Sequence, residues 1–324
     1  MLSELVRFYN KLCDISTDGA RHTTDVELQK ILQLTPTPNI TGLHKDILSS
    51  FDRFDAEFDL VKKSIYDQIR VEEGPYLQES YRAYELFRSH RYEWFKTPHP
   101  SDSVEIQETN VRMHVDNILN NRLPLVDNSE EILINRIKRC SSWQTTTMIL
   151  RPGLEPWIKN MVDNDPIYLV DESHDLLKPS MSQFNELYQR RLRPYIIRED
   201  QDDDILWQLP ENQFGLILAW NYFNHRPFEI IRRYLTELYT KIRPGGMLLM
   251  TYNDCDRWPG VVSAETGTAL YTPGSLITSF AESLGFERTF TYNDDGPWTW
   301  SEFRKPGAWQ SNRGGQALAK IIPK

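Results

Sequence analysis

The feature that most constrains this chain is a change of texture near residue 145. From there, short and almost unbroken apolar runs alternate with helical stretches: TTTMIL (145–150), IYLVD (167–171), PYIIRED (194–200), FGLILAW (214–220) and MLLMTYN (247–253). A strand that is apolar at nearly every position has both faces covered, because a half-solvated strand would alternate apolar with polar residues. Such strands separated by helices predict a parallel sheet with helices on both sides. The predicted helices are LEPWIKNMV (154–162), a stretch over about 180–193, and PFEIIRRYLTELYTKI (227–242), with Arg243-Pro244-Gly245-Gly246 as a turn. The ending differs. TPGSLITSFAESLGF (272–286) predicts a helix stopped by Gly285, followed by a hairpin of ERTFTYN (287–293) and WTWSEFRK (298–305).

Before residue 129 the sequence predicts helices. Ile47, Phe51, Phe54, Phe58, Val61 and Ile65 recur at alternating steps of four and three, a narrow seam of heptad type. Gly74-Pro75 predicts a break, and Tyr76–Lys96 a second helix folded back on the first, with Tyr76, Ala83, Phe87, His90 and Trp94 along one side and Tyr81 and Tyr84 beside them. The seam is either the core of a small helical domain or, through helices 43–96, a surface for self-association or a protein partner. Residues 96–110 predict a connector and 110–121 a further helix. Asn128 or Ser129 then caps a helix carrying Ile132, Leu133, Ile137 and Cys140. The expected domains are 1–128, helical; 129–305, α/β; and 306–324, a loosely ordered tail.

Composition narrows the function classes. Three distant cysteines among 324 residues argue against a disulfide framework and suit a reducing, cytoplasmic setting. A mean hydropathy of −0.55 and the lack of a long apolar run predict no transmembrane span, and the first residues lack the apolar core of a secretory signal. A formal charge of −9 gives no electrostatic argument for nucleic acid. No local ligand spacing predicts a metal, and His174 and His225 have no ligating neighbours in sequence.

The order of these pieces resembles the class I, Rossmann-like S-adenosylmethionine-dependent methyltransferases over about 129–305. The stretch NQFGLILAWNYFNH, the helix after it and KIRPGGMLLMTYND is similar to that family's fourth strand, its helix, the "kPGG" turn and the fifth strand. The closing helix and hairpin resemble its last helix and strands. The resemblance implies a doubly wound seven-stranded sheet in the order 3-2-1-4-5-7-6, its last strand antiparallel, with S-adenosylmethionine at the carboxyl ends of strands one and four.

The resemblance also implies site residues. Asp171 ends strand two, where the family's acid holds both ribose hydroxyls; the plainer reading is a helix cap. After strand one the family has an acid and several glycines, whereas here MILRPGLEPW supplies Arg151 and the single glycine Gly153. Arg151 either repels the cationic cofactor or pairs with its carboxylate, and Gly153 with the following helix start faces that carboxylate. After strand three, Asp200 or Asp202 is placed for the adenine amino group and Ile205 or Leu206 for its ring, the alternative being a solvated acidic loop. After strand four, Asn221 and Tyr222 face the transferred methyl and His225 is a candidate base, the alternative for His225 being a packing or capping role. Tyr252, Asn253 and Asp254 end strand five on the substrate side, and Trp258, Trp298 and Trp300 either shape a pocket or simply pack. Asn221-Tyr222 is not the signature of base N-methylation. Two functions follow: methyl transfer from S-adenosylmethionine to an unidentified acceptor, or a methyltransferase-like scaffold with a decayed site that serves assembly or partner binding through its helices.

Overall fold

The structure, a computed structural model, describes residues 2–34, 38–96, 129–152, 156–172, 174–199, 204–266 and 268–308. The connector after residue 96, the helix expected at 110–121 and the tail beyond residue 308 lie outside the described residues. The chain divides into two compact units, Met1–Tyr76 and Leu77–Lys324.

The first unit holds α1 (Leu2–Cys13), α2 (Asp18–Leu34) and the greater part of α3 (Pro38–Lys96). The predicted hairpin is not formed: α3 runs through Gly74-Pro75 as one helix of 59 residues. Proline removes one ladder bond and its ring crowds the preceding turn. Here Pro75 is exposed, so water can serve the freed carbonyl. The seam is only half covered by its own chain. Phe54 and Val61 are 48% and 49% exposed, because α2 meets α3 on a neighbouring face through Arg21, which pairs with Asp52 at 2.8 Å and with Asp55. Ile69 is buried, and Tyr9 of α1 lies 5.7 Å from the Tyr66 ring.

The second unit begins with the end of α3, whose Tyr84 is buried in the core beside the sheet. It continues with α4 (Ser129–Cys140), β1 (Thr147–Leu150), a 3-10 turn (Pro156–Met161), β2 (Ile167–Asp171), α5 (His174–Ser182), α6 (Glu186–Gln189) and β3 (Leu192–Ile196). There follow β4 (Phe214–Ala219), a 3-10 turn (Phe223–His225), α7 (Phe228–Lys241), β5 (Ile242–Asn253), α8 (Trp258–Glu265), α9 (Gly274–Ser283), β6 (Glu287–Asn293) and β7 (Trp298–Arg304). The sheet order is β3-β2-β1-β4-β5-β7-β6. β1 to β5 are parallel and β7 runs antiparallel between β5 and β6. This is the methyltransferase-type sheet that the resemblance implied. The single helix expected over 180–193 is instead two short helices, α5 and α6, that end before β3. The Arg243–Gly246 turn lies inside β5, where a Cβ on Gly246 would come within 2.7 Å of the Phe214 carbonyl oxygen.

Alternate residues of each central strand feed two cores, as the pleat requires. Met148, Leu150, Ile217 and Leu248 point to the side covered by Ile231, Leu235 and Leu238 of α7 and Ile277 of α9. Ile149, Leu216, Leu218 and Leu249 point to the other, covered by Leu133 and Ile137 of α4. α4 carries Glu130 and Glu131 in its first turn and Lys138 and Arg139 in its last, matching the helix dipole. Its Arg136 forms a two-pronged pair with buried Glu302 of β7, which fastens the helix to the sheet. Trp298 and Trp300 are fully buried against Trp220 in this second core, so they pack and do not line an open pocket.

Candidate functional site

In an open α/β sheet, ligands bind outside the carboxyl ends of the strands, where neighbouring crossovers diverge. In this sheet that place lies between the ends of β1 and β4, which pair side by side. Both strand ends are followed by a residue in the left-handed backbone region, Arg151 (φ 50°) after β1 and Asn221 (φ 48°) just after β4. Non-glycine residues take that conformation at a cost, and such strain collects at sites where the fold dictates the turn.

The turn at Arg151 aims its side chain across the sheet end. The guanidinium is 1% exposed, and its Nε donates to Asp171 Oδ2 at 3.4 Å. Asp171 is wholly buried at the end of β2, and its Oδ1 accepts the Glu172 backbone N–H at 2.7 Å. The Arg151 guanidinium carbon also lies 5.2 Å from the centre of the Tyr222 ring.

A second arginine closes the other side. Arg226, just after the 3-10 turn that follows β4, donates from Nε to Glu199 Oε1 at 2.7 Å and from Nη2 to Glu172 Oε1 at 3.0 Å. Its Nη1 donates to the Tyr222 carbonyl at 2.8 Å, and its guanidinium sits 3.5 Å from the Tyr222 ring centre. Glu199, after β3, also accepts from the Tyr84 hydroxyl of α3. The Tyr222 and Tyr234 hydroxyls bond each other at 2.6 Å. Burial, the largest single influence, would lower the Arg226 pKa, but Glu199 together with Tyr222, Tyr84 and Tyr234 outweighs it and holds the guanidinium well above its ordinary value. Burial pushes the phenols of Tyr222 and Tyr234 well up, so both stay neutral.

The predicted residues thus fall in different places. Asp171, Arg151, Asn221 and Tyr222 converge at one sheet end and are buried there; His225, 6% exposed, lies in the 3-10 turn beside them. Gly153, Asp200 and Asp202 lie outside the described residues. Ile205 and Leu206 are buried in the α7-side core. Tyr252, at the end of β5, bonds Ser301 across to β7 at 3.0 Å, and Asn253 holds the carbonyls of Gly260 and Leu270, each at 3.0 Å. His174 is exposed at the start of α5. Sequence reasoning missed Glu199, Arg226, Glu172 and Tyr84. The position of Glu199, directly after an apolar strand, was the available signal.

No family model matches the sequence, and no curated protein matches it. Among solved structures the chain is similar to the N-methyltransferase NodS from Bradyrhizobium japonicum WM9 in complex with S-adenosyl-L-homocysteine, at 12% identity over 61% of this chain and 99% of that one, TM-score 0.44. It is similar to an O-methyltransferase family 2 protein from Planctomyces limnophilus DSM 3776 in complex with apigenin, at 10% identity over 63% of each chain, TM-score 0.42. It is also similar to an rRNA methylase from Streptococcus thermophilus, at 8% identity over 57% of this chain and all of that one, TM-score 0.41. At these identities the likeness is one of fold, and the fold class stands on the strand order itself. No helix among the described residues is long and apolar enough to cross a membrane.

Proposed function

We propose that this chain uses the methyltransferase-type fold as a scaffold and does not hold S-adenosylmethionine. One observation carries the reading: the acids at the ends of β2 and β3 are already neutralised by arginines of the same chain, Asp171 by Arg151 and Glu199 by Arg226. Asp171 stands where the resembled family's acid reaches the ribose, and Glu199 directly precedes Asp200, one of the two acids expected to meet adenine. To take a ribose, Asp171 must release Arg151 and leave a guanidinium buried without its counter-charge. Breaking a buried pair costs roughly 3–5 kcal/mol. Two ribose hydrogen bonds to a carboxylate return roughly 3–6 kcal/mol. The exchange gains little, and a cationic sulfonium beside Arg151 adds repulsion. The residues present do not fit the cofactor, so no chemical step is derived through it. Three free thiols, Cys13, Cys140 and Cys255, support a cytoplasmic setting for the scaffold.

A second reading, methyl transfer to an unidentified acceptor, is favoured by the strained turns at Arg151 and Asn221, which bring Asn221, Tyr222 and His225 to the switch point. Calorimetric titration of the full chain with S-adenosylmethionine and S-adenosyl-L-homocysteine separates the two. The scaffold reading expects no heat and no thermal shift at about millimolar ligand. Saturable binding that Asp171→Ala abolishes would overturn it in favour of the enzyme.

A further inference from the structure

We propose that the first unit pairs with a second copy of itself, the two α3 helices running antiparallel about a two-fold axis at Leu60. The proposal is independent of whether the second unit holds a cofactor.

The outer face of α3 carries Arg53, Ala56, Glu57, Leu60, Lys63, Ser64 and Asp67, all exposed. At about 100° per residue these seven fall within about 60° of the direction of Leu60, so they form one stripe. Leu60 is 67% exposed at its centre, and Phe54 and Val61, about half exposed, flank one side. The arrangement is antisymmetric in charge. Arg53 and Asp67 stand seven residues either side of Leu60, and Glu57 and Lys63 stand three either side. The small residues Ala56 and Ser64 stand four either side. In an antiparallel pair related by a two-fold at Leu60, each Arg53 meets the other copy's Asp67, both within about 20° of the Leu60 direction, while each Glu57 comes beside the other copy's Ser64 and each Lys63 beside its Ala56. Leu60 then meets Leu60, with small residues next to it that let the helices approach. A parallel pair would set every charge against itself, which disfavours that alignment.

Local pairing does not consume these charges. Among the described residues, Arg21 binds Asp52 and Asp55, Lys62 binds Asp59 and Arg70 binds Glu73, while Arg53, Glu57, Lys63 and Asp67 enter none of these ion pairs. A self-complementary patch of this kind closes as an isologous dimer and leaves no open end for further growth.

Sedimentation equilibrium of the full chain tests the proposal, with melting curves as a check that each variant stays folded. We expect a reversible dimer with Kd in the micromolar range. Arg53→Asp alone, or Asp67→Arg alone, reverses two pairs per dimer and should weaken association about tenfold or more. The double variant Arg53→Asp, Asp67→Arg restores both pairs and should return Kd to within about threefold of wild type. A chain that stays monomeric up to about 100 μM overturns the proposal. So does a dimer indifferent to the single reversals, or a double variant as weak as the singles.

Discussion

At the ends of β1 to β4, Asp171, Glu172 and Glu199 are held by Arg151 and Arg226, whereas beyond β5 Asp254 is held by dipoles. Asp254 accepts the Thr299 hydroxyl at 2.8 Å and the backbone N–H groups of Gly274 and Asp256, each at 3.1 Å. Gly274 opens α9, so Asp254 sits at a helix N-terminus, where partial positive charge favours an anion. The two halves of one sheet edge therefore respond differently to burial. A guanidinium at hydrogen-bond distance gives its acid a full counter-charge. Dipoles offset burial only in part: burial first, and then the Asp256 charge, raise the Asp254 carboxyl to about 6. The arginine half is the half in which this fold holds its ligands. There the chain has supplied its own counter-charges, at the cost of fixing the site in one arrangement.

The largest expected break in that comparison comes from Arg226. Arg226→Ala strands Glu199 and Glu172, removes the donor to the Tyr222 carbonyl and leaves a space over the Tyr222 ring. Removing one partner of a buried pair costs about 3–5 kcal/mol, so the denaturant midpoint should fall steeply. Arg226→Lys keeps a charge without the fork and should fall between. If Arg226→Ala melts like wild type, the network is an ornament of a site stable without it.

Asp254 sharpens the other half, and the expected effect is smaller. The unfolded carboxyl titrates near about 4, the folded one near about 6. Between those values the folded state holds the proton more tightly, so stability falls as pH rises from about 4 to about 6 and the loss is complete above. Asp254→Asn removes the titrating group. The stability difference between wild type and variant should therefore change by on the order of 2 kcal/mol across that window, in the sense that wild type loses more. Equal slopes for the two proteins would mean that Asp254 is ionised throughout.

The same contrast explains how much was legible in the sequence. FGLILA and IYLVD announce themselves because strands covered on both faces need apolar residues at every position, and the sheet order came from the family resemblance that these runs and the closing hairpin carry. Asp171 was legible because it ends one of them. Glu199 and Arg226 were not: they lie 27 residues apart, and Tyr84 lies 115 residues from Glu199. Such a network exists only once the ends of three strands and a helix meet, and no local spacing encodes that. In α3 the local signal pointed the wrong way. Gly74-Pro75 is a helix-breaking pair, yet a Cβ at Gly74 would meet nothing within 4 Å and Pro75 is exposed, so the helix tolerates the lost bond. The seam at Phe54 and Val61 stayed open between two readings for a different reason, since heptad spacing shows that a face is apolar but not what covers it.

The smallest effect isolates the backbone beneath the arginine half. Arg151→Ala and Arg151→Gly both remove the guanidinium from Asp171 and from the Tyr222 ring, so their difference reports only the turn after β1. At φ 50° an alanine bears the left-handed penalty of its Cβ, about 1–2 kcal/mol, which glycine escapes. Glycine gives back roughly 0.5–1 kcal/mol through the greater freedom of its unfolded chain. Arg151→Gly should therefore be the more stable of the two by about 1 kcal/mol or less, with both below wild type. At Asn221 the corresponding gain should be smaller still, because asparagine visits this region readily. Chemical denaturation of the two Arg151 variants side by side measures the difference. If alanine is as stable as glycine, the turn relaxes once the guanidinium is gone, and the Arg151–Asp171 pair itself holds the backbone in place. If glycine wins, the fold imposes the turn and the arginine was fitted onto it, the expected order for a site whose strand ends are set by the sheet.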